Sequence, residues 1–285
     1  MEIITTVSAM QSIARDMRRS GRRIGFVPTM GFLHDGHLEL MRAARKKSDV
    51  LVASIFVNPT QFGPNEDFEC YPRDAERDQS LCESVGVDYL FFPPVEEVYA
   101  SDASVYVDEE QLSVGLCGGS RKGHFRGVLT VVAKLFNMVL PDVAVFGQKD
   151  AQQAALIRRM VRDLNFPIDI VVAPIVREPD GLAMSSRNAY LSDSEREQAL
   201  WLSRSLQLAE SMVAAGTFAA HELECAMRDF LAINASEVEL EYIAIVDAVG
   251  LQPLEAVEGE TLIALAARVG KTRLIDNIML NPELG

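Results

Sequence analysis

The stretch RIGFVPTMGFLHDGHLELMRAARKK, Arg23 to Lys47, decides how the rest of the chain is read. Ile24–Val27 is a short apolar run with β-branched residues at both ends, which predicts a buried strand. From Leu38 onward the run is helical in pattern. Between them lies a loop, Pro28 to Gly36, that carries two glycines and the first of two histidines. Strand, glycine-bearing loop and helix in that order form the repeating unit of an open parallel sheet, whose ligands sit beyond the carboxyl ends of the strands. The N–H groups and positive dipole end of a helix start attract phosphate. Gly31 and Gly36 let the backbone approach a ligand. His34 and His37 are three apart, so near a helix start they can face one side and donate hydrogen bonds to phosphate oxygens. The loop therefore reads as a nucleotide site for chemistry at an α-phosphate. It fits neither GxxxxGK[ST] nor a clean GxGxxG, and a zinc reading of the two histidines has no third ligand at an informative spacing. Taken singly, a histidine in a turn is ordinarily a surface or capping residue.

The rhythm repeats. Apolar runs at 49–57, 88–92, 142–147 and 168–176 alternate with helical patterns over Gly36–Lys47, Pro72–Val85, Gly127–Leu140 and Asp150–Leu164. Near-continuous apolar strands with helices between them predict a parallel sheet covered on both faces. The expected fold is α/β, a doubly wound, Rossmann-like domain over residues 1–176. The segment REPDGLAMSSRNAYLS breaks the pattern. Ser192, with Glu195 three residues on, then predicts a capping box at the start of a long helix. Strand-like runs LEYIAIVD and ETLIALAARVG follow, so residues 177–285 are expected to form a smaller α+β domain.

The chain has 285 residues, 48% hydrophobic and 24% charged, enough to bury a substantial core. Its net charge is −14, with 18 acidic against 8 basic residues from Arg177 onward and 23 against 19 before it. That balance repels nucleic acid, and no partner of that class is expected. It says nothing against a nucleotide, which needs only a few placed cations. No apolar run is long enough for a membrane helix, and the N-terminus lacks signal-peptide features. The four cysteines show neither CxxC pairing nor zinc-like spacing, so a soluble, reducing, cytoplasmic setting is expected.

HDGH after PTMG resembles the HxGH signature of the nucleotidylyltransferase superfamily. The wider set of segments, FVPTMGFLHDGHLEL, SIFVNPTQFGPNEDFECYPR, GHFRGVLTVVAKLFN, FGQKDAQQ and DGLAMSSRN, runs in order from residue 26 to 188 and resembles the pantothenate synthetase (pantoate–β-alanine ligase) family. That resemblance implies an ATP- and Mg²⁺-dependent ligase with pantoate and β-alanine as substrates. The reaction would pass through pantoyl adenylate and release pyrophosphate, then AMP. It also implies a homodimer.

Residue by residue, the resemblance implies that Met30, Gly31, Phe32, Leu33, His34, Asp35, Gly36 and His37 form the ATP loop. His34 and His37 would stabilise charge on the leaving pyrophosphate, and His37 is the family's usual proton donor. Gly147, Gln148, Lys149 and Asp150, with Val176 and Met184, Ser185, Ser186 and Arg187, would also contact ATP; Lys149 and Arg187 would act in catalysis. Gln61 and Gln153 match the family's two pantoate glutamines, Asn58 is an alternative amide, and Arg121 matches a position near the site, with His124 shaping its loop. On their own, these residues also read as a solvated lysine, a capping aspartate, an Asn-Pro-Thr turn and a Ser-Ser-Arg linker. For Mg²⁺, CYPRDAERDQS offers Asp74 and Asp78; the resemblance singles out Asp78 as the candidate, beside Arg77 where some relatives carry a second acid. Two other functions stay open: a nucleotidylyltransferase that stops after nucleotidyl transfer, and a nucleotide-binding module without catalysis. The first leaves the paired amides unexplained, the second the histidines, Lys149 and Arg187.

Overall fold

The strands of the first half assemble into one parallel sheet. The chain opens with a short strand, β1 (Glu2–Ile4), and a helix, α1 (Val7–Arg19), capped by the Thr6 hydroxyl. There follow β2 (Ile24–Thr29), α2 (Asp35–Arg45), β3 (Val50–Ile55), α3 (Ala75–Ser84) and β4 (Tyr89–Phe91). Two short helices, α4 (Val95–Val98) and α5 (Leu116–Ser120), precede α6 (His124–Val139), β5 (Val143–Gly147), α7 (Ala151–Asp163) and β6 (Asp169–Ala173). This computed structural model describes residues 1–64, 66 and 68–281; residues 65 and 67, inside the motif SIFVNPTQFGPNEDFECYPR, and residues 282–285, at the end of the second expected domain, lie outside the described residues.

The strand order is β1-β4-β3-β2-β5-β6, and every pairing is parallel. From β2 the chain steps to β3 and β4 on one side, then returns to β5 on the other. The loops that leave β2 and β5 therefore part from each other above the sheet, the crevice in which doubly wound folds bind ligands. Both faces are covered, as the unbroken apolar strands require. On one face α6 is buried along most of its length, with Phe136 edge-on to Phe26, Phe146 and Phe166. On the other, Leu38, Met41 and Ala44 of α2 pack with Leu51 and Val145. β6 stops at Ala173 rather than 176 because Pro174 follows, with no N–H to continue a ladder.

The expected capping box is present: Glu195 N–H donates to Ser192 Oγ and Ser192 N–H donates to Glu195 Oε2. It opens α8 (Asp193–Ala214), followed by α9 (Ala220–Asn234) and three antiparallel strands, β7 (Val238–Asp247), β8 (Thr261–Val269) and β9 (Thr272–Leu280). Alternation in β8 explains the sandwich. Ile263, Leu265 and Ala267 pack with Leu202, Leu206, Leu223 and Met227 of the helices, whereas Leu262 and Ala264 join the core of the parallel-sheet domain. The small sheet is thus held between its own helices and the larger domain. β9, which sequence periodicity did not mark, contributes the polar pair Asp276 and Asn277, both buried at 4% and 3% exposure.

Candidate active site

The loop after β2 is locked from within. Gly31 has φ +81°, in the left-handed region that favours glycine. Phe32 follows at φ 49°, a strained setting for a residue with a side chain. Holding it there are the N–H groups of Phe32 and Leu33, which each donate to the Asp78 carboxylate at 2.7 Å. Gly31 N–H donates to Thr29 Oγ1, and His34 N–H to His37 Nδ1 at 3.3 Å. The backbone N–H groups from Gly31 to His34 are therefore already engaged, so phosphate contacts fall to the helix start beyond them and to side chains. Leu33 is wholly buried in the core beneath the loop, and the Arg77 guanidinium lies over the Phe32 ring. Neither Phe32 nor Leu33 faces the ligand side.

A cavity of about 230 Å³ opens above β2 and β5. Of the expected ATP loop, Met30, His34, Gly36 and His37 line it, whereas Gly31, Phe32, Leu33 and Asp35 do not. Gly147, Lys149 and Asp150 enter from the end of β5, Gln61 from the turn after β3, Gln153 from the first turn of α7, and Val176 with Met184 to Arg187 from the connecting segment. Gln148 does not line it; its side chain turns to Asn277. A larger cleft of about 1180 Å³ between the sheets adjoins this cavity and shares Lys149, Asp150, Gln153, Ser185 and Arg187 with it.

The two imidazoles lie 4.1 Å apart, centre to centre. Burial, helped by the Lys149 charge, pulls His34 down from 6.5 to about 4. Burial, with His34 and Lys149 beside it, also holds His37 well below its ordinary value. Both rings are neutral at pH 7. Because His37 Nδ1 accepts from the His34 N–H, its proton belongs on Nε2. The pair thus offers neutral hydrogen-bond donors, with the positive charge coming from Lys149 and Arg187. His34 Nδ1 is buried with no hydrogen-bond partner among the described residues.

The amide residues divide. Asn58 is wholly occupied inside the protein: its Nδ2 donates to Gln61 Oε1 and Gly127 O at 3.1 Å each, and its Oδ1 accepts from Thr60 and Tyr99. It braces Gln61 and, unlike Gln61, does not line the cavity. Gly127 makes this bracing possible, since a Cβ there would stand 2.4 Å from Thr60 O. Gln61 and Gln153 both face the cavity. Arg121 pairs through two nitrogens with Glu66, at 2.8 and 2.6 Å, and its third nitrogen meets His124 Nε2 at 2.9 Å. A guanidinium only donates, so His124 accepts at Nε2 and donates from Nδ1 to Gln61 O at 2.8 Å. Burial and Arg121 keep that ring neutral, lowering it to about 4. Arg121 therefore lines the cavity while anchoring, through His124, the backbone of Gln61.

Asp78 faces the loop backbone and not the cavity. Both its oxygens accept loop N–H groups, and it lines neither cavity. Among the described residues no group of three or more His, Cys, Asp or Glu side chains is placed to hold an ion.

Several contributors were not marked in the sequence. Tyr71 is buried beside the cavity with its hydroxyl 3.4 Å from Ser186 Oγ. Gln152, adjacent to Gln153, points the other way: it donates to Leu112 O and Gly115 O and accepts from the Cys117 N–H, holding the chain before α6. Neighbouring positions on a helix face different directions, so only the fold separates these two glutamines. No helix among the described residues is long and apolar enough to cross a membrane.

Comparison with known proteins places this geometry. Residues 2–279 match the family model described as Pantoate-beta-alanine ligase. A pantothenate synthetase of Thermotoga petrophila is 55% identical over 280 residues, covering 98% of this chain and 100% of that protein. One from Geobacter sulfurreducens is 54% identical over 286 residues, 99% of this chain and 100% of that protein. Among solved structures, pantothenate synthetase from Thermus thermophilus superposes with a TM-score of 0.93 at 44% identity, over 99% of this chain and 100% of that one. Pantoate-beta-alanine ligase from Francisella tularensis, complexed with beta-gamma ATP and beta-alanine, gives 0.79 at 35% identity, over 100% and 99%.

Proposed function

The chain belongs to the pantoate-beta-alanine ligase family, and from that premise we propose that its cleft joins pantoate to β-alanine in two chemical steps at one site. In the first, a pantoate carboxylate oxygen bonds to the α-phosphorus of ATP as the bond from that phosphorus to the bridging oxygen breaks, and pyrophosphate leaves. In the second, the neutral amine of β-alanine bonds to the acyl carbon. The bond from that carbon to the phosphate oxygen breaks, AMP leaves, and the amine's extra proton is lost, leaving pantothenate.

The observation that carries the reading is the meeting, in one cavity at the switch point of the sheet, of His34, His37 and Lys149 with Gln61 and Gln153. The former set suits phosphates: neutral imidazole donors beside a fixed cation stabilise the charge that develops on the leaving pyrophosphate. The latter set suits a small hydroxy acid, whose hydroxyl and carboxylate need both donors and acceptors. Ser185, Ser186 and Arg187 lie on the segment joining the sheets, where they would close over ATP and keep water from the adenylate. In this reading residues 177–285 act as the lid, and the boundary lies near residue 176. Mg²⁺ bound with ATP would supply charge neutralisation at the phosphates; the engagement of both Asp78 oxygens supports a protein contribution of few or no ligands. Homodimer formation and a cytoplasmic setting belong to the same proposal and rest on the family alone.

The test is AMP release from MgATP and pantoate, with and without β-alanine, in the wild type and in Gln153→Ala. The reading predicts AMP that requires both substrates and a loss on the order of 10²-fold in the variant. AMP release indifferent to pantoate would overturn it.

A further inference from the structure

The turn that carries Lys149 is only three residues long, Gln148–Asp150, and tight 3₁₀ turns of that kind hold themselves weakly. It is gripped from the other sheet. Asn277, on β9, donates both protons of its amide, one to Gln148 O and one to Lys149 O, each at 3.0 Å. Its Oδ1 accepts from Gln148 Nε2, also at 3.0 Å. Every side-chain hydrogen-bonding position of Asn277 that faces the turn is thereby used, and the residue is buried. Its own backbone is fixed in turn: Asn277 N–H donates to Asp276 Oδ1, and Asp276 pairs with Arg177 through two nitrogens at 2.7 and 3.0 Å. A chain of hydrogen bonds thus runs from the start of the connecting segment, through β9, to the backbone of Lys149.

We propose that Asn277 is a positioning residue for the first chemical step: its amide fixes the Gln148–Lys149 backbone so that the lysine ammonium stands where charge builds on the leaving pyrophosphate. The inference rests on the role given to Lys149 above. An asparagine suits the task because it supplies two donors and one acceptor in a single plane. Aspartate has the same shape but presents an anion to two carbonyl oxygens, and serine keeps one donor. A contact that serves the transition state and not substrate binding lowers kcat with little change in KM.

The test is single-turnover adenylate formation by Asn277→Ala, Lys149→Ala and the double variant, with ATP and pantoate KM values and thermal melts in parallel. Asn277→Ala is expected to lose about ten- to a hundredfold in the adenylation rate with ATP KM changed by less than about threefold. In the Lys149→Ala background the same substitution is expected to cost nothing more. A wild-type rate in Asn277→Ala, or an undiminished loss in that background, overturns the positioning role while leaving the lysine's intact. A wild-type rate in Lys149→Ala instead overturns the lysine's role and the inference with it. Should Asn277→Ala fail to fold, Asn277→Ser and Asn277→Asp decide: the serine variant must be the faster, and a faster aspartate variant overturns the proposal.

Discussion

At the scale of single residues, polar side chains divide into those that face the cavity and those that hold the ones facing it. Asp78 is the clearest of the second kind. Two charge-assisted hydrogen bonds from Phe32 and Leu33 are what keep Phe32 at positive φ. Asp78→Ala leaves the part-buried Phe32 N–H and the buried Leu33 N–H unmet and is expected to cost about 2–4 kcal/mol of stability, with reduced turnover in the protein that remains folded. The Mg²⁺ concentration giving half-maximal activity is expected to stay where it is. A large rise in that concentration would show that the carboxylate meets the metal after all. As cavity-facing residues, His34, His37, Gln61 and Gln153 were legible in the sequence, because their chemistry and spacing, read with the family motifs, marked them as candidates for phosphate and a polyol. Asn58, Asp78 and Gln152 were not, since what distinguishes a bracing amide or carboxylate from a binding one is the partner it meets, and those partners lie as far as 69 residues away along the chain.

At the scale of elements, the alternation of apolar strands and helices was sufficient for the parallel sheet, because a strand covered on both faces must be apolar throughout. The strands and helices that periodicity marked in the first domain are present within a few residues of their expected bounds, whereas α1, α4 and α5 were not marked. β1 was invisible: three residues at a sheet edge carry too little pattern. β9 escaped for a different reason. The buried pair Asp276-Asn277 interrupts its apolar rhythm, and those two residues tie the sheet to Arg177 and to the Lys149 turn. The approach of α6 to the Asn58–Gln61 turn is likewise a property of packing. Gly127→Ala would drive a methyl group against Thr60 O, a backbone atom that cannot swing aside. It is expected to raise the KM for pantoate about tenfold through displacement of Gln61, with a smaller change in the KM for ATP. Steady-state kinetics in each substrate check this, and equal effects on both would argue that the whole site, not the pantoate side, had moved.

At the scale of the whole molecule, an acidic chain of net charge −14 gathers cations at its cleft: Arg121, Lys122, Lys149, Arg187, Arg268, Lys271 and Arg273 line it, against the carboxylates of Glu66, Asp150, Glu195 and Asp276. An acidic surface repels polyanions in general, while cations gathered in a cleft attract small anions locally. None of this gathering could be read from the net charge, since the seven cations come from four separate regions of the sequence. The central claim is that this cleft makes an acyl adenylate before any amine takes part. The most direct measurement is exchange of labelled pyrophosphate into ATP with pantoate present and β-alanine absent. The account predicts exchange that depends on pantoate and is strongly reduced in His37→Ala. Folded protein that makes pantothenate with no such exchange would contradict it.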